Sequence, residues 1–323
     1  MRPNIADPSS RPSQDAIISG DTVSRRIIDT HPHIISPDKA RYPITPLGGK
    51  RSAWSEQRPV DFPGLVREMD AAGIAKAAIV HSSTTYGYNA AYVADAIEGQ
   101  RDRFAGVFSV DVLQPDAPAQ IRHWVDRGLS GLRLFAAGST VKSDPSWIAD
   151  PRTYPAWEQC QTMDIPVALS IRQEALPHLL DVMSRYPGVR LILDHLLLSP
   201  IEDGAPYAAS APMFALARHP QVYLKLTTNN VRRAHDGRAT AETFFGQLVD
   251  RFGSSRIMWG SNFPNEPGPL AQQVDEAKAA LAFLPEKDQD NIFWQTAVAL
   301  YPSLGEDATR APHASHAPQA NRT

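Results

Sequence analysis

Two histidines one residue apart, in the run Asp29-Thr30-His31-Pro32-His33, are the most chemically suggestive feature of this chain. Side chains alternate along a strand, so Asp29, His31 and His33 face one way. An H-x-H pair beside a carboxylate suits metal ligation or acid/base work. Other polar residues recur where apolar runs end: His81 after KAAIV, Ser170 and Arg172 flanking Ile171, Asp194-His195 after VRLIL, and Asn262 after IMWGS. Arg133 sits inside the apolar run GLRLF and needs an anion, either a substrate carboxylate gripped through two N–H groups or an ion pair within the fold. Arg172 and Lys225 add positive charge, and Tyr42, Tyr86 and Trp54 lie where an aromatic side chain closes over a substrate or simply packs.

The elements that position these residues follow from the hydrophobic pattern. Residues 25–31, 76–81, 104–110, 130–135, 166–171, 189–195, 222–226 and 256–261 read as eight strands. Amphipathic helices fill the gaps. Asp61 with Pro63 opens one and Gly73 closes it, and AQIRHWVDRG, QEALPHLLDVMSRYPG and QQVDEAKAALAFL repeat that logic. The alternation predicts an α/β fold, a single-domain (β/α)₈ TIM barrel over residues 24–303, with the open doubly wound sheet as its competitor. No G-x-G-x-x-G follows the first strand, so nothing favours a dinucleotide. Residues 1–23 and 304–323 read as flexible tails, and the long connection over residues 34–60 as a lid. In such a barrel chemistry sits at the carboxyl ends of the strands, where the polar residues collect.

Composition narrows the partners. With 42% hydrophobic and 21% charged residues the 323-residue chain is that of a soluble globular protein. Lys plus Arg (32) against Asp plus Glu (35) leaves a net charge of −3, which argues against nucleic acid or an anionic membrane as partner. The single cysteine, Cys160, excludes an internal disulfide, and no apolar run is long enough for a membrane span, so a cytoplasmic location is expected. The expected partner is a small carboxylated molecule. Association of identical copies is left open.

Taken together, D-T-H-P-H (29–33), K-A-R-Y-P (39–43), S-S-T-T-Y-G-Y-N (82–89), G-L-R-L (131–134), L-D-H (193–195), V-Y-L-K-L (222–226) and I-M-W-G-S-N-F-P (257–264) resemble the amidohydrolase-related family. The resemblance runs over residues 26–301 and is strongest to its branch of 2-pyrone-4,6-dicarboxylate lactonases, sugar lactonases and sulfomuconolactone hydrolases. It implies a TIM barrel and a hydrolase or decarboxylase acting on a small, usually carboxylated substrate. Two positions depart from the family pattern. Ser170 stands where a histidine is usual, and Asn262 stands where the strand 8 motif has an aspartate that ligates zinc and takes a proton from water.

These departures shape the expected mechanism. Zn²⁺ or another divalent metal on His31 and His33 would lack a carboxylate, with His81 or His195 as a third nitrogen, so a site without a cofactor is favoured. An amide cannot accept a proton, so His31, His33 or His195 is expected as general base, oriented by Asp29 or Asp194 and titrating at roughly pH 6 to 7.5. The favoured activity is hydrolytic opening of a small carboxylated lactone, with Asn262 placing water and Arg133, Arg172, Tyr42, Tyr86, His81, Lys225 and Ser170 contacting substrate. A decarboxylase or other lyase or isomerase, and a non-catalytic ligand-binding barrel, are the alternatives.

Overall fold

The computed structural model describes residues 26–137, 140 and 144–305. The tails expected at 1–23 and 304–323 lie outside these residues except for positions 304 and 305. Eight parallel strands run in the order β1 (Ile28–Asp29), β2 (Lys76–Val80), β3 (Phe104–Phe108), β4 (Gly131–Phe135), β5 (Val167–Ser170), β6 (Leu191–Leu193), β7 (Val222–Thr227) and β8 (Ile257–Gly260). Each pairs with the next in sequence, and the seam between β8 and β1 is bridged where Thr30 donates from its backbone to the Trp259 carbonyl at 3.2 Å. This is the (β/α)₈ barrel the alternation predicts.

A principal helix follows each strand: α1 (Phe62–Ala72), α2 (Ala91–Ala96), α3 (Ala117–Asp126), α4 (Tyr154–Thr162), α5 (Leu176–Arg185), α6 (Ala211–Ala215), α7 (Ala241–Phe252) and α8 (Leu270–Leu281). Local chemistry sets the ends of α1. The Asp61 carboxylate accepts from the Gly64 N–H at 2.8 Å, and Gly73 stops the helix at φ 68°, a conformation cheap only for glycine. Among the described residues no helix is long and apolar enough to cross a membrane.

The period of two along the strands builds two apolar layers. On β2, Ala77 and Ile79 pack outward with the helices, whereas Ala78 and Val80 point inward with Ile28, Val107, Ile192 and Met258. Trp294, Leu300, Tyr301 and Leu304 join that inner cluster, so it is closed by apolar side chains from the carboxyl-terminal segment. The polar residues are left to the carboxyl ends of the strands.

Candidate active site

Strand ends set the site. At the end of β1 the Asp29 carboxylate accepts from the backbone N–H groups of His31, at 3.0 Å, and Ser261, at 2.8 Å. Asp29 therefore ties β1 to β8 and is not spent on orienting an imidazole. β8 must come close here, because a Cβ on Gly260 would lie 2.7 Å from that of His31. After β6 the chain makes a left-handed run, His195 to Leu198, with φ between 50° and 60°. Four such residues in succession cost roughly 1–2 kcal/mol each. The side-chain amide of Asn230 donates to the His195 carbonyl at 3.1 Å and helps hold the turn.

The turn brings together residues that the sequence only suggests as neighbours. Asp194 lies 3.6 Å from His31 Nδ1, accepts from Arg133 Nε at 2.8 Å on one oxygen and faces Lys225 Nζ at 3.0 Å on the other. Burial alone would raise the Asp194 pKa, but Lys225 and Arg133 outweigh it and hold the carboxyl well below the usual range. Arg133 thus has an ion pair within the fold. Lys225, fully buried, supports Asp194 from inside the barrel and is not on a cavity wall.

A cavity of about 290 Å³ opens above this cluster, lined by His33, Trp54, Arg133, Ser170, Arg172, His195, Asn262 and Glu266 among others. Trp54 stacks on His33 with ring centroids 5.1 Å apart, so the long connection after β1 does cover the site. The Ser170 hydroxyl donates to the Ala137 carbonyl at 2.8 Å. Three expected substrate contacts lie elsewhere. Tyr42 donates to Asp95 at 2.7 Å, Tyr86 accepts from the Ser36 N–H at 2.7 Å, and His81 Nε2 donates to the Gly87 carbonyl at 2.9 Å. These three brace the loops and do not line the cavity.

Hydrogen bonds fix two tautomers. His33 Nδ1 donates to the Val80 carbonyl at 2.7 Å, which leaves Nε2 with its lone pair. The Thr227 hydroxyl gives its proton to Asn230 Oδ1 at 2.9 Å, so it accepts from His195 Nδ1 at 3.1 Å, and His195 Nε2 also keeps a lone pair. Burial lowers every imidazole pKa here, aided by Arg133. His33 falls to about 3, His195 and His81 to about 4, and His31 well below its ordinary value with Lys225 and Arg133 contributing. All four are neutral at pH 7, which corrects the expected titration at roughly pH 6 to 7.5.

His31, Asp194 and His195 each offer one ligand atom within 4.8 Å of the others. Both ring nitrogens of His31 are buried without a hydrogen-bond partner, as nitrogens awaiting a metal would be, whereas the Asp194 oxygen nearest them is ion-paired with Lys225. Three protein ligands with a His195 N–H anchored on Thr227 match the build of catalytic metal sites.

Residues 28–303 match the amidohydrolase family. The chain belongs to that family. This amidohydrolase is 30% identical over 194 residues to the L-fucono-1,5-lactonase of Burkholderia ambifaria, 59% of this chain and 66% of the relative, just short of two thirds of its length. Its fold is similar to that of a Pseudomonas putida protein assigned as a 2-pyrone-4,6-dicarboxylic acid hydrolase, with TM-score 0.70, 17% identity, and coverage of 87% of this chain and 99% of that one. It is also similar to a zinc-bound amidohydrolase of Burkholderia multivorans, with TM-score 0.68, 18% identity, and coverage of 86% and 99%. These likenesses show the barrel.

The expectation of a site without a cofactor is overturned by the grouping of His31, Asp194 and His195, and by zinc in a barrel of the same fold. Its premise, a missing carboxylate, fails because β6 supplies Asp194 where β8 has Asn262. His33 is not in that group. Sequence reasoning also missed Thr227, Asn230 and Glu266. Of these only Glu266 left a trace, as a carboxylate four residues after the amide at 262.

Proposed function

We propose that this amidohydrolase opens the ring of a small carboxylated lactone by attack of water. One observation carries the reading. A single cavity is lined by Arg172, which has no ion-pair partner among the described residues, and by two neutral imidazoles, His33 and His195, each with a fixed lone pair. Similarity to a lactonase over most of that protein's length supports it.

Arg172 binds the substrate carboxylate, and the guanidinium of Arg133, its Nε engaged by Asp194, adds positive potential at the wall. Asn262, at φ 60°, presents its amide to the cavity and orients water with His33. Trp54 shields the reacting carbonyl from bulk water. His31, Asp194 and His195 are the residues that would hold a divalent metal, which when bound would polarise a carbonyl and acidify water. Lys225 and Arg133 keep Asp194 ionised for that role.

The test is a pH-stat assay of the zinc- or manganese-loaded protein with L-fucono-1,5-lactone and 2-pyrone-4,6-dicarboxylate. One proton released per ring opened, with the hydroxy acid or its keto tautomer as product, supports the reading. No release from either lactone counts against it.

A further inference from the structure

The lactone reading leaves open which group takes the proton of the attacking water. Asn262 cannot, and the lone pairs of His33 and His195 belong to rings that burial has made poor proton acceptors. Among the described residues that line the cavity, Glu266 is the only carboxylate.

Its surroundings suit a proton acceptor. The Glu266 backbone N–H donates to the Asn262 carbonyl at 3.1 Å, which folds the loop so that the two side chains meet, and Asn262 Nδ2 approaches Glu266 Oε1 at 3.4 Å. The side chain is only 15% exposed, yet its polar contacts are long. Arg232 is 3.6 Å away and is instead engaged by Glu276 at 2.8 Å. Arg58, the other nearby cation, donates to the carbonyls of Pro264, at 3.2 Å, and Asn265, at 2.8 Å. Burial raises the Glu266 pKa above its ordinary 4.5, with Arg232, Asn262 and Arg58 opposing and Glu276 reinforcing the rise. A carboxylate that is half-buried, loosely held and more basic than usual is one that can take up a proton.

We infer that Glu266 is the general base of this site, standing in for the aspartate that strand 8 lacks, with Asn262 holding both it and the water. Resting on the lactone reading, the step is as follows. Water oxygen bonds to the lactone carbonyl carbon while one of its protons passes to Glu266. The acyl C–O bond of the ring then breaks, and the proton returns to the departing ring oxygen. One water is consumed and Glu266 ends as it began.

Glu266→Gln keeps the shape and the acceptor for Asn262 but cannot take a proton. With L-fucono-1,5-lactone and 2-pyrone-4,6-dicarboxylate as probes, kcat is expected to fall about 10²- to 10³-fold with KM within about threefold, and the acid limb of the kcat profile to disappear. Adding Asn262→Asp to that variant is expected to restore at least about tenfold of the loss. A kcat within about threefold of the unaltered protein, or a change confined to KM, overturns the inference. A second readout needs no turnover: in protein labelled with ¹³C at the glutamate carboxyl, the resonance missing from Glu266→Gln must titrate above the ordinary glutamate value in the unaltered chain. Titration at or below that value overturns the inference too. If the unaltered protein hydrolyses neither lactone, the lactone reading fails and the general-base role falls with it, whereas an active protein whose kcat is unchanged by Glu266→Gln overturns the inference about Glu266 alone.

Discussion

Lys225 and Asp194 face each other at 3.0 Å inside the barrel, both with fully buried side chains. The pair lies beneath the cavity, and the second Asp194 oxygen is taken by Arg133. Removing one member of a buried ion pair costs about 3–5 kcal/mol, because the remaining charge is stranded away from water. Lys225→Met is therefore expected to lose about 3 kcal/mol, softened by Arg133, which is a Tm drop of roughly 4–5 °C for a chain of this size. Calorimetry showing a drop under about 2 °C would mean that Asp194 does not depend on Lys225.

The two arginines at the cavity should separate by their partners. Arg172→Met is expected to lose about 10- to 100-fold in kcat/KM on a carboxylated lactone and little on its methyl ester. Arg133→Met removes a partner of Asp194, so its losses should be similar on acid and ester. Equal losses on both substrates for Arg172→Met would remove it as the carboxylate anchor.

His81 gives a pH signature of stability. Its folded pKa of about 4 lies below the ordinary 6.5, chiefly through burial, so above pH 6.5 its contribution is complete. As pH falls toward 4 the unfolded chain binds a proton that the folded chain refuses, and about 1.4 kcal/mol is lost per pH unit. His81→Gln retains a donor for the Gly87 carbonyl without titrating. Urea unfolding at pH 7 and pH 5 should show the unaltered protein losing about 2 kcal/mol more than the variant. Identical losses would contradict a buried neutral His81.

Metal binding should follow the hydrogen bonds behind the ligands. After loading with zinc and dialysis, elemental analysis is expected to find about one equivalent per chain. His195→Gln should reduce this strongly, and Thr227→Val, which strips the acceptor from the His195 N–H, should weaken affinity about 10- to 100-fold. Undiminished zinc in both variants would place the metal elsewhere.

The fold was legible because its signals are local. All eight strands fall within the runs read from the sequence to within a residue, and Asp61 and Gly73 bound α1 where capping chemistry puts them. β1 is only two residues long because the Asp29 carboxylate takes over the bonds at its end. The site was legible as a set of residues and not as a set of partners. Asp194 meets Arg133 across 61 positions of sequence, and no spacing rule announces such a pair. The left-handed run at His195 to Leu198 has no glycine to mark it, and it delivers the carboxylate that the metal expectation declared absent. Tyr42, Tyr86 and His81 were read as substrate contacts because their loops border the barrel mouth, whereas their hydrogen bonds hold those loops together.

The central claim is that water attacks an acyl carbon, and isotope labelling tests it most directly. Turnover of 2-pyrone-4,6-dicarboxylate or L-fucono-1,5-lactone by the metal-loaded protein in H₂¹⁸O, read by mass spectrometry, should place one ¹⁸O in the newly formed carboxylate of a ring-opened product, with no CO₂ released. Release of CO₂ in step with substrate loss, or binding of both lactones without any ring opening, would contradict the account.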